Sequence, residues 1–326
     1  MQDLRTMLGG ADTSTFLGLD ACDLADLEGV RNALQSGARP VVVIGAPCAT
    51  PYLSVGPYCA AAPEAIRRAS KAYSGLHGHW NFDLGAAAIP ADAVVLDGGD
   101  IQWDADDFAS NRARITEACA RILAAGAVPV VLGGDDSIPI PFIQAYAGAP
   151  GSGVADGSLT IVQIDAHIDW RDEVNGERMG LSSTMRRSSE MPHVGTMIQV
   201  GQRGVGSARQ ADVDAALARG VRFVSGRDVH RYGVDPIREL IPEGSDVLVT
   251  IDVDGLDPTV MPGVIGPEPG GLSYYQAIDI IDMAAERGCI AGFDVVEFVP
   301  ERDVNGLGAL TAFRLCAHAI GRILQA

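Results

Sequence analysis

The chain has 326 residues, 47% of them hydrophobic and 20% charged, with a formal net charge of −18. That length suits one large domain or two ordinary ones, and the composition is that of a soluble globular protein with a sizeable core. The acidic balance argues against nucleic acid or an anionic membrane as partner, and no apolar run approaches the ~18 residues that span a bilayer.

The N-terminus, MQDLRTMLGGADTSTF, has neither a basic segment nor an apolar one, so no signal peptide is expected. Residues 1–38 read as a helical N-terminal extension. Short β-branched runs then alternate with longer helical patterns. The strand candidates are 40–44, 93–96, 128–132, 159–164, 197–200, 221–224, 247–251 and 290–295. They lack clean polar–apolar alternation, as buried parallel strands do. Helix candidates are 63–73, 107–125, 207–219, 274–286 and 308–324, and 149–158 reads as a surface loop. Strand and helix alternating about eight times predict an α/β sheet covered by helices on both faces. No repeat, low-complexity tract or linker divides the chain, so residues 1–326 read as one domain. The cysteines at 22, 48, 59, 119, 289 and 316 are scattered without a C-x-x-C, which predicts reduced thiols in a cytoplasmic protein.

In open α/β sheets, function collects beyond the carboxyl ends of the strands. Acidic residues follow four of the eight runs: Asp135-Asp136 after Leu132, Asp165-Ala-His-Ile-Asp169 after Ile164, Asp252-Val-Asp254 after Ile251, and Glu297 after Val296. In extended backbone, residues i, i+2 and i+4 point the same way, so Asp165, His167 and Asp169 converge if strand geometry persists past Ile164. Asp252 and Asp254 form a second such pair. Clustered carboxylates need countercharge, and a divalent cation supplies it economically. Four carboxylates and one imidazole exceed one metal's needs and suit two. Hard oxygen donors with one nitrogen favour Mn²⁺, with Ni²⁺, Co²⁺ and Fe²⁺ as alternatives. Each motif alone reads equally as a helix cap; three together do not.

These motifs resemble the ureohydrolase family of arginases, agmatinases and guanidino-acid hydrolases. Gly133-Gly-Asp-Asp-Ser137 resembles the family's G-G-D-H-S, and Asp165–Asp169 its D-A-H-x-D. Thr250–Pro258 with Pro262–Gly271 resembles its S-x-D-x-D-x-x-D-P and following glycine–proline run, and Asp294–Glu297 its D-V-V-E. Weaker echoes are Gly-Ala-Pro at 45–47, Pro63–Arg67, Asp97–Asp100 and Gln199–Arg203. The resemblance covers roughly residues 40–325 and is nearest the agmatinase branch, through Trp80–Leu84 and Met185-Arg-Arg187. It implies a three-layer αβα fold with an eight-stranded parallel sheet and assembly as trimers or hexamers. It also implies a binuclear Mn²⁺ centre whose bridging hydroxide hydrolyses a guanidinium carbon to urea and an amine or ammonia. By that resemblance Asp165 and Asp252 bridge the metals, Asp169 binds one, His167 and Asp254 bind the other, and Glu297 accepts the guanidinium of a small guanidino substrate.

Two departures stand out. Asp136 replaces the family's metal-ligand histidine. Its oxygen and an imidazole Nδ1 both lie two bonds beyond Cβ, so Asp136 can still ligate; the alternative is that it has left the site and one metal binds. If it ligates, five carboxylates face two dications. That makes the metals weaker Lewis acids, which predicts a need for higher pH or for Ni²⁺. Second, alignment on Arg186-Arg187 puts Leu181 where agmatinases carry a catalytic histidine, with Ser182 beside it as a substrate-binding candidate. His77 and His79 read either as surface residues or as pocket lining. The specificity loops at about 48–60, 74–84 and 170–187 match no known pattern, so agmatine, guanidino acids and guanidine all fit as substrates. A second reading follows from the two lost histidines: a non-catalytic paralogue that serves as partner subunit to an active homologue.

Overall fold

The computed structural model describes residues 14–35, 37–147, 154–206 and 208–326. Its centre is a parallel sheet of nine strands. In chain order these are β1 (Asp20–Ala21), β2 (Val41–Ala46), β5 (Val95–Asp100), β6 (Val128–Gly133), β7 (Leu159–Ile164), β8 (Val194–Val200), β9 (Arg222–Val224), β10 (Asp246–Asp252) and β11 (Cys289–Val296). The remaining two, β3 (Trp80–Asn81) and β4 (Ala86–Ala87), form a separate antiparallel hairpin. The spatial order is β1-β5-β2-β6-β11-β10-β7-β8-β9. All eight expected strands are present. β2, β6 and β7 are buried at every position, the burial that parallel strands under helices require.

Two expectations change, the number of strands and the purely helical N-terminal extension. The sheet has a ninth strand, because the N-terminal extension is not purely helical. It runs through a short 3-10 turn at Phe16–Gly18, then β1 pairs with the edge of β5, then a helix forms at Glu28–Gln35. Asp97 fixes this arrangement by accepting the Phe16 amide at 2.7 Å, a contact no periodicity could announce. Residues 1–13 of that extension lie outside the described residues, as does 148–153 of the expected loop. Finally, Leu307–Leu324 is long and apolar enough to cross a membrane by length and composition. It is nonetheless 72% buried inside the protein, as the helix covering the sheet's central strands.

Helix boundaries follow ordinary capping. Asp107 accepts the Ser110 amide at 3.0 Å to start Phe108–Ala124, and Ser273 with Gln276 forms a capping box on Tyr274–Arg287. The upstream echoes have a structural job. Arg67, on the helix Ala62–Ser70, donates Nε and Nη2 to the two Asp97 oxygens at 2.8 and 2.9 Å, tying that helix to β5.

Strand order is what assembles the site. β6, β11, β10 and β7 are neighbours, and their register aligns Leu132, Val295, Ile251 and Ile164 in one row. The acidic residues beyond that row come from four distant stretches of sequence and reach one edge of the sheet together.

Candidate active site

Two overlapping groups of ligand atoms sit at this edge. Asp165, His167 and Asp254 form one, and Asp136, Asp165 and Asp252 the other, with the atoms of each group within 4.8 Å of one another. Asp165 belongs to both, and it is fully buried. His167 Nδ1 lies 3.1 Å from Asp254 Oδ2 and 3.4 Å from Asp165 Oδ1.

Asp165 and His167 come together, but not through extended geometry. Strand β7 stops at Ile164, and the backbone bends at Ala166 and His167. Asp165 Oδ1 accepts the His167 amide at 2.5 Å, and Asp252 Oδ1 accepts the Asp254 amide at 2.8 Å. Each motif therefore turns on its own first carboxylate, as Asx turns do. Asp169 sits at φ +47°, in the left-handed region. It lines the cavity but joins neither ligand group; its Oδ2 accepts from Gln163 Nε2 at 3.0 Å. Its charge is nonetheless the strongest that Asp136 feels after its own burial.

Glycines let these segments approach. A Cβ on Gly134 would sit 1.9 Å from the Pro47 carbonyl oxygen, and one on Gly255 would sit 2.6 Å from the Asp165 amide nitrogen. Arg203, from the Gln199–Arg203 echo, donates Nη2 to the carbonyls of Asp254 and Glu268 at 2.7 and 2.8 Å, holding the loop that carries Asp254.

Behind the carboxylates lies a network that the sequence reading missed. Gln163, inward on β7, donates to Asp165 Oδ2 at 2.6 Å as well as to Asp169. Gln199 on β8 donates to Gln163 Oε1 and to the Ile168 carbonyl, and accepts from Trp170 Nε1 at 2.9 Å. An outer layer of this kind orients metal ligands. Its one visible signal is a glutamine inside each mostly apolar strand.

Electrostatically the groups cannot stand alone. Burial and mutual repulsion push the carboxyls of Asp136, Asp165 and Asp252 well above the usual range, and burial raises Asp169. Burial alone would lower the His167 imidazole, but Asp254 and the neighbouring carboxylates raise it to about 10. Burial also opposes ionisation of Asp254, yet His167 brings it below its ordinary value. Among the described residues, both oxygens of Asp136 are buried without a hydrogen-bond partner. Buried acceptors without donors are costly, and a cation in contact with them removes the cost. The donor set of oxygens with one imidazole fits a pair of hard or intermediate divalent ions.

Across the cavity stands Glu297, at φ +67° just past β11 and 4% exposed. Its Oε1 accepts the Asp136 amide at 2.9 Å, and the Tyr58 hydroxyl donates to Oε1 and Oε2 at 2.6 and 2.7 Å. Burial raises Glu297 to about 8, against the lowering by Tyr58 and the Asp136 amide. Tyr58, like Gln163 and Gln199, was missed by the sequence reading; nothing in the 48–60 loop singled it out. The cavity, about 220 Å³, is lined also by His167, Arg171, Leu181 and Ser182. Leu181 thus faces the cavity from the position expected of the histidine, and Ser182 accepts a hydrogen bond from the Tyr52 hydroxyl. His77 and His79 line a different cavity, with Trp80, Tyr274 and Phe313.

Known proteins resemble this chain in sequence and fold. The profile of the arginase family matches residues 39–321. Guanidinobutyrase of Pseudomonas aeruginosa is 28% identical over 96% of this chain and 95% of its own length. N(1)-aminopropylagmatine ureohydrolase of Thermus thermophilus is 31% identical over 90% of this chain and 93% of its own. Among solved structures, proclavaminate amidino hydrolase from Streptomyces clavuligerus superposes with TM-score 0.77 at 28% identity, covering 97% of this chain and 98% of that one. A hypothetical agmatinase from Burkholderia thailandensis gives TM-score 0.79 at 26% identity, covering 97% and 92%. With the αβα sheet and the four motifs carried on its central strands, this chain belongs to the arginase family.

Proposed function

We propose that this protein is a binuclear-metal amidinohydrolase that releases urea from a small guanidino compound. The chain is a hydrolase of C–N bonds in linear amidines; the metal dependence and the roles below are the proposal. The observation that carries it is the pair of ligand groups sharing Asp165, set opposite a buried carboxylate. Asp165 and Asp252 would hold both ions, Asp136 and Asp169 one of them, and His167 and Asp254 the other. Bound there, two divalent ions would supply Lewis acidity and acidify a water held between them, less strongly than with four carboxylates.

The chain's own residues do the rest. Glu297 binds the planar cation, since a guanidinium's paired N–H groups match a carboxylate fork. Its ionised form is needed, and a guanidinium against it favours that form. The Asp136 amide fixes its plane. The bend at residues 166–167 and the Gln163–Gln199 pair hold Asp165 and Asp169 in place before any ligand arrives. No imidazole stands at Leu181 to protonate the leaving amine, which favours substrates whose departing nitrogen needs little help, such as guanidine or a guanidino acid over a long alkylamine. Guanidinobutyrase and the human mitochondrial guanidino acid hydrolase, 31% identical over 70% of this chain and 64% of its own length, lend the guanidino acids weight. Assembly as a trimer or hexamer in the cytoplasm is carried with the same proposal.

The test is urea release from guanidine, guanidinopropionate, guanidinobutyrate and agmatine by protein loaded with Mn²⁺ or Ni²⁺. Turnover of at least one, abolished by Asp165→Asn, supports the proposal. Leu181 at the cavity wall favours one competing reading, a catalytically silent partner subunit. Full metal loading with no turnover of any of the four would select that reading instead.

A further inference from the structure

The way Tyr58 meets Glu297 has a consequence for substrate entry. The hydroxyl is almost equidistant from the two carboxylate oxygens, at 2.6 and 2.7 Å, and both contacts are hydrogen bonds. It therefore lies between the oxygens, facing the open end of the carboxylate. A bidentate guanidinium places two nitrogens ~2.8 Å from those same oxygens, straddling that point. Each nitrogen would then sit little more than a covalent bond length from the phenolic oxygen. The two occupants exclude each other. Glu297 has little to offer elsewhere, because the second lone pair of Oε1 already takes the Asp136 amide.

We infer that Tyr58 is a gate on substrate entry: its hydroxyl holds the guanidinium seat on Glu297 and must swing away before substrate docks. The inference rests on the assignment of Glu297 as the guanidinium acceptor. Two features make the swing feasible. The Tyr58 side chain is part-exposed and borders the 220 Å³ cavity, so the ring has space to rotate. Its backbone, in contrast, is anchored by fully buried Cys59 and by the turn bonds Tyr58 N to Gly56 O and Ala60 N to Pro57 O, at 2.9 and 3.0 Å. The ring can move without moving the loop. Burial and the nearby charge of Glu297 push the phenol far up, so it remains a donor while it waits.

Every cation that needs this seat meets the same cost, because each must first displace the same Tyr58 hydroxyl from Glu297. The gate therefore lowers apparent affinity by a common factor, and the fork of Glu297 is what prefers a two-pronged guanidinium to a single-pronged ammonium.

The experiment is calorimetric binding of methylguanidinium and methylammonium to metal-free wild type, Tyr58→Phe and Glu297→Gln, with KM and kcat of the loaded enzymes alongside. Tyr58→Phe should bind methylguanidinium roughly tenfold tighter and show a lower KM with kcat little changed, because no internal donor has to be displaced. Methylammonium, which needs the same seat, should gain by about the same factor. Unchanged or weaker methylguanidinium binding by Tyr58→Phe overturns the gate. A second readout needs no variant. The carbon-13 resonance of the Tyr58 ring carbon bearing the hydroxyl should shift when methylguanidinium saturates wild type, and an unmoved resonance overturns the gate as well. Glu297→Gln separates the two levels of argument. If it binds methylguanidinium as wild type does, the Glu297 assignment and the proposed function fail with the gate. If it loses binding while Tyr58→Phe gains nothing, only the gate fails.

Discussion

Asp136 touches Glu297 through its backbone, not its side chain: the Asp136 amide donates to Glu297 Oε1 at 2.9 Å, while its own carboxylate points at Asp165 and Asp252. One residue thus links the guanidinium seat to the metal groups. The link survives any side-chain change at 136, so substitutions there test charge without disturbing Glu297.

Asp136→His is the informative change. It returns the site from five carboxylates to the family's four, with the donor atom still two bonds beyond Cβ. Nearby negative charge at short range in a buried site shifts acidity by on the order of one pH unit or more. The alkaline limb of the pH–rate profile should therefore move to lower pH in Asp136→His, and Mn²⁺ should serve as well as Ni²⁺. Profiles for the two proteins that superimpose with either metal would show that the extra carboxylate does not tune the site.

Glu297→Gln keeps the shape of the side chain and an oxygen for Tyr58 or the Asp136 amide, but it loses the charge and the fork. Charge-assisted pairing at a reacting group is worth ~10²–10³ in rate. A loss of that size in kcat/KM with unchanged metal content is expected. Metal loss in the variant would move Glu297 from the substrate to the ligand set.

Leu181→His places an imidazole at the cavity wall. General acid catalysis contributes ~10²–10⁴ where it operates, so even an imperfectly seated imidazole should raise kcat for an alkylguanidine by at least roughly tenfold. Guanidine itself, with ammonia leaving, should gain less. Equal rates in variant and wild type across leaving groups would mean that proton delivery does not limit this enzyme.

Asp294 supplies a stability prediction away from the ligands. It lies on β11 opposite Thr250 of β10, is fully buried, accepts from Thr250 Oγ1 at 2.7 Å, and has one oxygen without a partner. Burial, partly opposed by the Thr250 and Ile251 bonds, raises it to about 7. A carboxyl raised in the folded state stabilises while protonated. Its contribution is complete below its unfolded value near 4 and is lost as pH rises through about 7. The cost at higher pH is ~4 kcal/mol. Denaturant unfolding of metal-free protein should show wild type losing stability between pH 4.5 and 8.5, and Asp294→Asn losing visibly less. Parallel pH dependences would mean that Asp294 stays protonated throughout or is screened by solvent.

Much of this was legible before any coordinates. Each central strand is a short apolar run that ends in an acidic residue, and both halves of that pattern are local. The same locality explains the misses. β1 is two residues, Asp20 and Ala21, held by pairing with β5 rather than by its own pattern. Extended geometry was expected to bring Asp165, His167 and Asp169 together; instead a bend on the Asp165 carboxylate brings Asp165 and His167 together, and the left-handed Asp169 joins neither ligand group. Gln163 and Gln199 matter because β7 lies beside β8 with those two residues in register, a fact about sheet order. Tyr58 reaches Glu297 across 239 positions of sequence, and only the folded chain brings them together.

Metal content per chain tests the central claim most directly. Protein prepared in turn with Mn²⁺ and with Ni²⁺, freed of loose ions and measured by plasma mass spectrometry, should hold close to two ions per chain with at least one of the metals. In Asp136→Ala it should hold close to one. A value near zero with both metals would contradict the binuclear assignment and the hydrolytic mechanism built on it.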